Sequence, residues 1–469
     1  MPGDSTVGLP QEQCDFVVVG AGFAGLTAAL RLKKHGSVIV LEARDYVGGR
    51  VRTETLKDGP WSGTWIDLGG TWFGPGQTYA YDLAAEMGVP TYPTYDKGDS
   101  VLLLPDGTVV RSPETFPLRE LCTAIDAAVV LEELEEMAKE VPLDTPWTAP
   151  QAELWDGQTW ATWVDTQLAD STPTARAALK SVMEGFFTAD AGELSLLHVL
   201  YLIHSHGGLM GLSAVKGGDQ QDRVRGGAQA IALAIKDCLG DAVRLSSPVR
   251  QINQLADGVE AVADTVVVRA KRAVVAMPPT VAGRIRYEPP LPTARAMLVE
   301  RAPSGEVFKF LAMYEKPFWR DAGYSGVSGA ISDPITLTID GATDKQDAPG
   351  MIFAFAAGRN SRALAQLTKD DRQRRVVETL AKRFDAPEAL TPVSFFEHEW
   401  SDDPWSGGGM IVHFPPGVLT NFGPALTDPV GRIHWAGSES SGAFHCSINA
   451  AIESGERAAA HVVAAMSGG

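Results

Sequence analysis

Near the N-terminus the hydrophobic positions fall in short unbroken runs. "CDFVVVG" is one such run and "SVIVLEA" is a second. Between them lies "FAGLTAALRLKKHG", where apolar residues recur every three or four positions. Unbroken runs of this length suit strands buried on both faces, and the helical period between them suits a helix packed on those strands. The pattern predicts strand, helix, strand with the two strands parallel, and hence an α/β fold. Further on, "VRGGAQAIALAIKDCLG" predicts a helix to Leu239, followed by strands through "AVRLSSPVRQI" and "TVVVRAKRAVVAM". Residues 116–140 are amphipathic at helical spacing, and "TARAALKSVMEGFFTA" and "LSLLHVLYLIHSH" also fit helices. "GEVFKFLAMYE" reads as a strand, and Thr368 and Asp371 have capping-box spacing at the head of another helix. A final helix starts near Ile448, after the small-residue stretch "WAGSESSGAFHC". No internal repeat or low-complexity segment interrupts the chain.

At 469 residues the chain exceeds one ordinary core, so two domains are expected. Hydrophobic residues make up 45% and charged residues 21%, as in globular proteins. The net charge of −18 disfavours nucleic acid, whose phosphates such a surface repels. Cys14, Cys122, Cys238 and Cys446 are far apart and have neither CxxC nor zinc spacing, so free thiols in a reducing compartment are expected. The N-terminal residues lack the charged and apolar regions of a signal peptide. No apolar run approaches the roughly 18 residues of a membrane span. The expectation is a cytoplasmic protein without a membrane anchor.

The first strand turns into its helix through "GAGFAG", which places Gly20, Gly22 and Gly25 in G-x-G-x-x-G spacing. The first glycine permits the tight turn, the second lets backbone approach a pyrophosphate, and the third lets helix and strand pack closely. The helix N-terminus adds free N–H groups and positive dipole. Glu42 ends the second strand, about 20 residues on, where an acid accepts hydrogen bonds from a ribose. Strand, helix, strand and acid together point to a dinucleotide. "EARDYVGGR" then supplies Arg44, Gly49 and Arg50, a second loop that an extended flavin adenine dinucleotide needs over its pyrophosphate and a nicotinamide cofactor does not. "WIDLGGTWFGP" follows as another strand and glycine turn, with Gly69, Gly70 and Thr71.

"GAGFAG…LEARDYVGGR…DLGGTWFGP" resembles the flavin-containing amine oxidases, nearest the monoamine oxidase branch. The similarity continues in order through "AVVAMPPTVAGRIRYEPPLP", "GEVFKFLAMYEKPFWR", "EWSDDPWSGGGMIVHFPPG" and "WAGSESSGAFHCSINAAIESGERAA". It implies a discontinuous FAD-binding domain, residues 12–90, 224–299 and 403–465, and an α+β substrate-binding domain, residues 91–223 and 300–402. It also implies that Val249 meets adenine, that Trp400, Gly437, Ser438 and Glu439 approach the cofactor, and that the helix from Ile448 points its N-terminus at the flavin.

Lys309 interrupts the apolar run "VFKFLAM". A buried lysine needs a reason, whereas an edge-strand lysine keeps its amine in water; the pattern alone leaves both open. The resemblance favours function, because the family's lysine in this segment holds a water against flavin N5 and is thought to assist reoxidation by oxygen. Two tyrosines face each other before the flavin in monoamine oxidases. Here Met410 and Ser447 stand at their places, and Gly409 stands where a cysteine would link the ring, so non-covalent FAD is implied. Trp72, Phe444 or Trp405 could supply aromatic surface instead, or could equally be core. For His445 and Cys446, beside the expected flavin, a catalytic pair is weighed against a packed or hydrogen-bonded pair, and the second reading is favoured. His198, His204 and His206 do not suggest a metal, since His204 and His206 share no helical face and no acidic partner is evident.

The resemblance implies oxidation of a neutral amine by hydride transfer to the flavin, hydrolysis of the imine, and reduction of oxygen to hydrogen peroxide. The partners are then a small amine and molecular oxygen, with a homodimer left open. Three rivals are weighed. An L-amino acid oxidase wants a carboxylate-binding arginine that "GGTW" does not offer, and a lipid desaturase wants a membrane-facing patch. An FAD protein without turnover is favoured by the lost tyrosines and opposed by Lys309.

Overall fold

The computed structural model describes residues 8–113, 128–331, 333–345 and 348–467. The N-terminal unit forms β1 (Gln11–Val19), α1 (Phe23–Leu32) and β2 (Val38–Leu41). β1 and β2 are parallel, with Val17 opposite Ile39 and Val19 opposite Leu41. On its other side β1 runs parallel to β3 (Val267–Ala276), from the Gln11–Val267 pair to the Val19–Val275 pair. Among the described residues this sheet has eight strands, seven of them in the order Val243–Arg244, β2, β1, β3, Val259–Ala263, Val249–Gln254 and Arg286–Glu288. Ile433–Ala436 pairs with the C-terminal half of β3. Val17, Val18 and Val40 are wholly buried, as strands covered on both faces require. α1 covers one face through Leu26, Ala28, Ala29 and Leu32.

The second sheet has seven strands among the described residues. Its order is Ser394–Glu399, β4 (Val307–Tyr314), β5 (Gly350–Ala357), Leu337–Asp340, Tyr324–Ala330, Asp99–Leu103 and Val109–Ser112. β4 is antiparallel to both neighbours and buried at every position. Against this part of the molecule sits a helical layer with its own core. It includes α2 (Pro173–Phe187) and α3 (Leu196–Ser205), which meet through residues such as Leu179, Phe187, Leu197 and Leu200. Of the helix expected over 116–140, Ala128–Lys139 forms; the remainder lies outside the described residues, as does Cys122. Thr368 caps the helix Lys369–Phe384 by accepting from Asp371 N at 3.2 Å. The last helix, α4 (Ile448–Ser467), packs back on α1. No helix among the described residues is long and apolar enough to cross a membrane.

Candidate active site

A cavity of about 430 Å³ is lined by the tips of β1, β2 and β3, by β4 and β5, and by α2 and the start of α4. Residues more than 400 positions apart meet in it, among them Gly20 and Ser447.

The glycine turn is built by close approach. Gly20 has φ +100°, and a Cβ on Gly25 would stand 2.0 Å from the Gly20 carbonyl oxygen, so α1 starts directly on the turn. Gly25 therefore serves packing and does not itself line the cavity. Gly22 differs: its added Cβ would meet nothing nearer than Gly49 Cα at 3.8 Å and would fill the cleft before the α1 N-terminus. The residues present thus leave a backbone cradle at a helix N-terminus, the shape a pyrophosphate fits. Glu42 lies beside it, 3% exposed. Its carboxylate accepts from Ala21 N at 2.6 Å and Arg44 N at 2.9 Å. Burial raises the Glu42 pKa, against the opposing pull of Arg44 and these N–H groups. Val249 lines the same end. Arg44 forks onto Asp403 at 2.9 Å and reaches Ser406 Oγ at 2.6 Å, tying the first loop to a segment 359 residues away. Trp405 adjoins this tie, donating its backbone N–H to Asp403, so it belongs to the Arg44 end of the cavity.

Arg50 joins the two chain ends. It meets Glu439 at 2.7 Å, Ser438 Oγ at 2.9 Å and the Met410 carbonyl at 3.1 Å. Gly49, Arg50, Gly437 and Ser438 line the cavity, whereas Glu439, 2% exposed, is packed away from its surface. Ser447 is both wall and helix cap: its Oγ accepts from Ala450 N at 3.1 Å and so starts α4. Ile448 also lines the wall. Met410 does so with φ +52° and Cys446 with φ +64°, two non-glycine residues in left-handed conformation at one site. Phe444 shares that conformation at +53° and does not line the cavity. Its ring instead contacts His206 edge-on and covers Gly76.

Lys309 lies in the middle of its sheet, between β5 and Ser394–Glu399, and is 3% exposed. That removes the edge-strand reading. Its Nζ donates to Thr71 Oγ1 at 2.7 Å and to the Gly69 carbonyl at 2.9 Å. The Phe353 ring centre is 4.1 Å from Nζ and the Trp72 ring centre 5.1 Å. Burial lowers the ammonium to about 7, only partly opposed by Asp67. Gly69, Gly70, Thr71, Trp72 and Trp400 line the wall around it. Trp400 is held by donating Nε1 to the Leu68 carbonyl at 2.9 Å.

The histidines pair, though not as a metal centre. His198 Nδ1 accepts from Phe414 N at 3.0 Å, so its Nε2 carries the proton and donates to His445 Nε2 at 3.2 Å. His445 then donates from Nδ1 to the Ser441 carbonyl. Burial lowers His445 to about 4 and His198 well below its usual value, so both rings are neutral. Burial also drives the Cys446 thiol far up. The absence of an acidic partner expected for His206 is corrected: Nδ1 meets Asp219, a loop residue 13 positions on. Both line the cavity, as do Thr188 and Phe355, which the sequence did not single out.

A family model for flavin-containing amine oxidoreductases matches residues 23–463. The chain is 35% identical over 473 residues to the flavin-containing amine oxidase B of Sus scrofa, covering 97% of this chain and 87% of that protein. Among solved structures, a putrescine oxidase bound to putrescine aligns with a TM-score of 0.90 at 31% identity, covering 97% of this chain and 100% of that one. The cyclohexylamine oxidase from Brevibacterium oxydans IH-35A aligns with a TM-score of 0.90 at 33% identity, over 97% of this chain and 99% of that one.

Proposed function

The chain belongs to the flavin-containing amine oxidoreductase family and is an FAD-dependent amine oxidase, and from that premise we propose that it oxidises amines with an apolar body. One observation carries this reading: the cavity lined by the glycine cradle, Glu42 and Lys309 is also lined by Leu102, Val182, Phe186, Leu212, Ile339 and Phe355, an apolar set we assign to the substrate arm. An apolar wall stabilises an alkyl or aryl body by roughly 25 cal/mol per Å² buried and disfavours the ammonium form of the substrate. The amine therefore reacts unprotonated, and no general base is required.

When bound, FAD supplies the acceptor for the hydride of the amine α-carbon and passes the electron pair to oxygen as hydrogen peroxide. In this reading Gly20, Gly22 and the α1 N-terminus hold the pyrophosphate, with Gly25 keeping α1 seated. Glu42 takes the ribose hydroxyls and Val249 faces adenine. Arg44, Gly49 and Arg50 close over the phosphates. Gly69, Gly70, Thr71, Trp400, Gly437 and Ser438 surround the ring. The α4 N-terminus, started by Ser447, directs its dipole toward negative charge there. Glu439 holds Arg50 in place. Lys309, with its Thr71 and Gly69 partners, holds a proton at Nζ beside the site of oxygen chemistry. Trp72 and Met410 bound the space where the amine lies.

Two observations support a non-covalent cofactor. A Cβ at Gly409 would come within 2.6 Å of both Trp400 Cβ and Val307 Cγ1, which excludes a linking side chain. Cys446, the one cysteine lining the cavity among the described residues, is held as a neutral thiol, and the thiolate is the nucleophile. A cytoplasmic location belongs to the same proposal and rests on the free thiols Cys14, Cys238 and Cys446. The amino acid oxidase alternative gains no support. The arginines lining the cavity, Arg44 and Arg50, are already engaged by Asp403 and Glu439. Peroxide release across a panel of amines and amino acids tests the reading; turnover of amino acids in preference to amines would refute it.

A further inference from the structure

The wall of the cavity carries few charges among the described residues. Glu42, Arg44 and Arg50 cluster at the dinucleotide half, and Lys309 stands at the middle. The remaining charge is Asp219, near Gln77 and the Trp72 strand, with His206 against it. Asp219 accepts from Gln77 Nε2 at 2.9 Å on one oxygen and from His206 Nδ1 on the other. The other nitrogen of His206, Nε2, lies 2.9 Å from the His445 carbonyl oxygen. Both neighbours of the ring are acceptors, so it donates from both nitrogens and is an imidazolium. Asp219 raises the His206 pKa above its usual value against the effect of burial. The other groups around the pair do not contest the charge: His445 is neutral, Gln77, bonded to Asp219, is an amide, and the uncharged Phe444 ring packs perpendicular to the imidazole. His206 is 7% exposed and the Asp219 side chain 15%.

Asp219 N donates to the Gly211 carbonyl at 2.8 Å, which seats this carboxylate beside Leu212 of the apolar arm, where it would ordinarily be an anchor for a second ammonium group. Here the fold supplies the cation itself. We propose that the His206–Asp219 pair is a specificity determinant, which cancels the only acid of the substrate arm among its described lining residues and so selects monoamines against linear α,ω-diamines. This rests on the amine oxidase reading and adds to it the class of amine that is refused. The physical ground is the asymmetry of buried charge. A second ammonium entering the arm meets a carboxylate already neutralised by a fixed imidazolium, loses its hydration, and faces a like charge. An uncharged alkyl terminus loses nothing comparable. Putrescine oxidase, one of the similar structures, is shown bound to a diamine. The shared fold therefore accommodates diamines, and the charge of the arm is where selection can differ.

The test compares kcat/KM for a homologous series of linear diamines, each against the monoamine of equal length, using peroxide release from the holoenzyme. The wild-type enzyme is expected to favour the monoamine by more than about ten-fold at every length. His206→Gln keeps a hydrogen-bond donor and removes the positive charge. It is expected to raise the diamine-to-monoamine ratio at least about ten-fold for diamines long enough to reach Asp219. Adding Asp219→Asn to that variant should abolish the gain. An unchanged ratio in His206→Gln overturns the proposal, as does a gain that survives the loss of the Asp219 carboxylate. Should the variants fail to fold, the wild-type series still decides: equal or better turnover of diamines overturns it. An enzyme inert to every amine refutes instead the oxidase reading on which the proposal rests.

Discussion

Lys309 Nζ sits 2.7 Å from the Thr71 hydroxyl, a neutral partner, inside a strand buried at every position. A lysine held this way keeps its proton weakly, and burial brings the ammonium to about 7 against 10.5 for a free side chain. The Lys309 charge therefore titrates near neutrality.

Lys309→Met keeps most of the apolar stem and removes the charge. In stopped-flow, anaerobic flavin reduction should change little, while reoxidation by oxygen should slow by about ten-fold or more, about 1.4 kcal/mol. In the wild type, reoxidation should slow as pH rises through the Lys309 pKa, and the variant should lose that dependence. Negative charge on the reduced cofactor moves the inflection upward from 7. Equal reoxidation in both proteins would place oxygen activation elsewhere.

The same group sets a sign for stability. Between about 7 and roughly 10.4 the unfolded chain binds the Lys309 proton and the folded chain does not, so this residue's destabilising effect is full below about 7 and fades as pH rises. Lys309→Met should therefore raise the melting temperature more at about pH 6 than at about pH 10. Calorimetry at the two values checks it, and the reverse order would contradict the burial of the charge.

Glu42 is expected to hold the ribose. Glu42→Ala removes the acceptor of both Ala21 N and Arg44 N and leaves the dinucleotide end without its acid. The purified variant should contain largely apo-protein by its visible absorbance. A variant with full flavin content would show that affinity comes from the glycine cradle and Arg50 alone.

Glu439→Gln breaks the pairing with Arg50, whose remaining hydrogen-bond partners here are neutral oxygens. Losing one partner of a buried ion pair costs about 3 kcal/mol or more. Denaturant unfolding should show that loss together with weaker flavin retention. Unchanged stability would mean that Arg50 is solvated in the folded protein.

Acid precipitation of the holoenzyme should leave a colourless pellet and a yellow supernatant, because Gly409 admits no linking side chain. Colour in the pellet would point to Cys446.

The cofactor half of the site was legible because its signal is local: turn, helix, strand and Glu42 lie within one βαβ unit, and each piece has its own steric reason. Lys309 stood out as one charge in an apolar run. Whether it was central or at an edge depended on β5 and Ser394–Glu399 pairing on both sides, which no local pattern encodes. The Arg44–Asp403 tie spans 359 residues and leaves no periodic trace. Phe444 misled because its φ of +53° turns the ring toward His206 and Gly76, and nothing in an aromatic residue's neighbours announces a left-handed backbone. Asp219 was missed because it lies in the loop after the short helix Leu209–Ser213, where helical-face reasoning about His204 and His206 does not extend.

The most direct measurement is anaerobic mixing of the holoenzyme with apolar monoamines, followed by admission of oxygen. The flavin band should bleach under anaerobic conditions. On aeration it should return with release of about one hydrogen peroxide per flavin, as reduction by one electron pair requires. A flavin that stays oxidised with every amine, in a protein that still binds FAD, would contradict amine oxidation in this cavity.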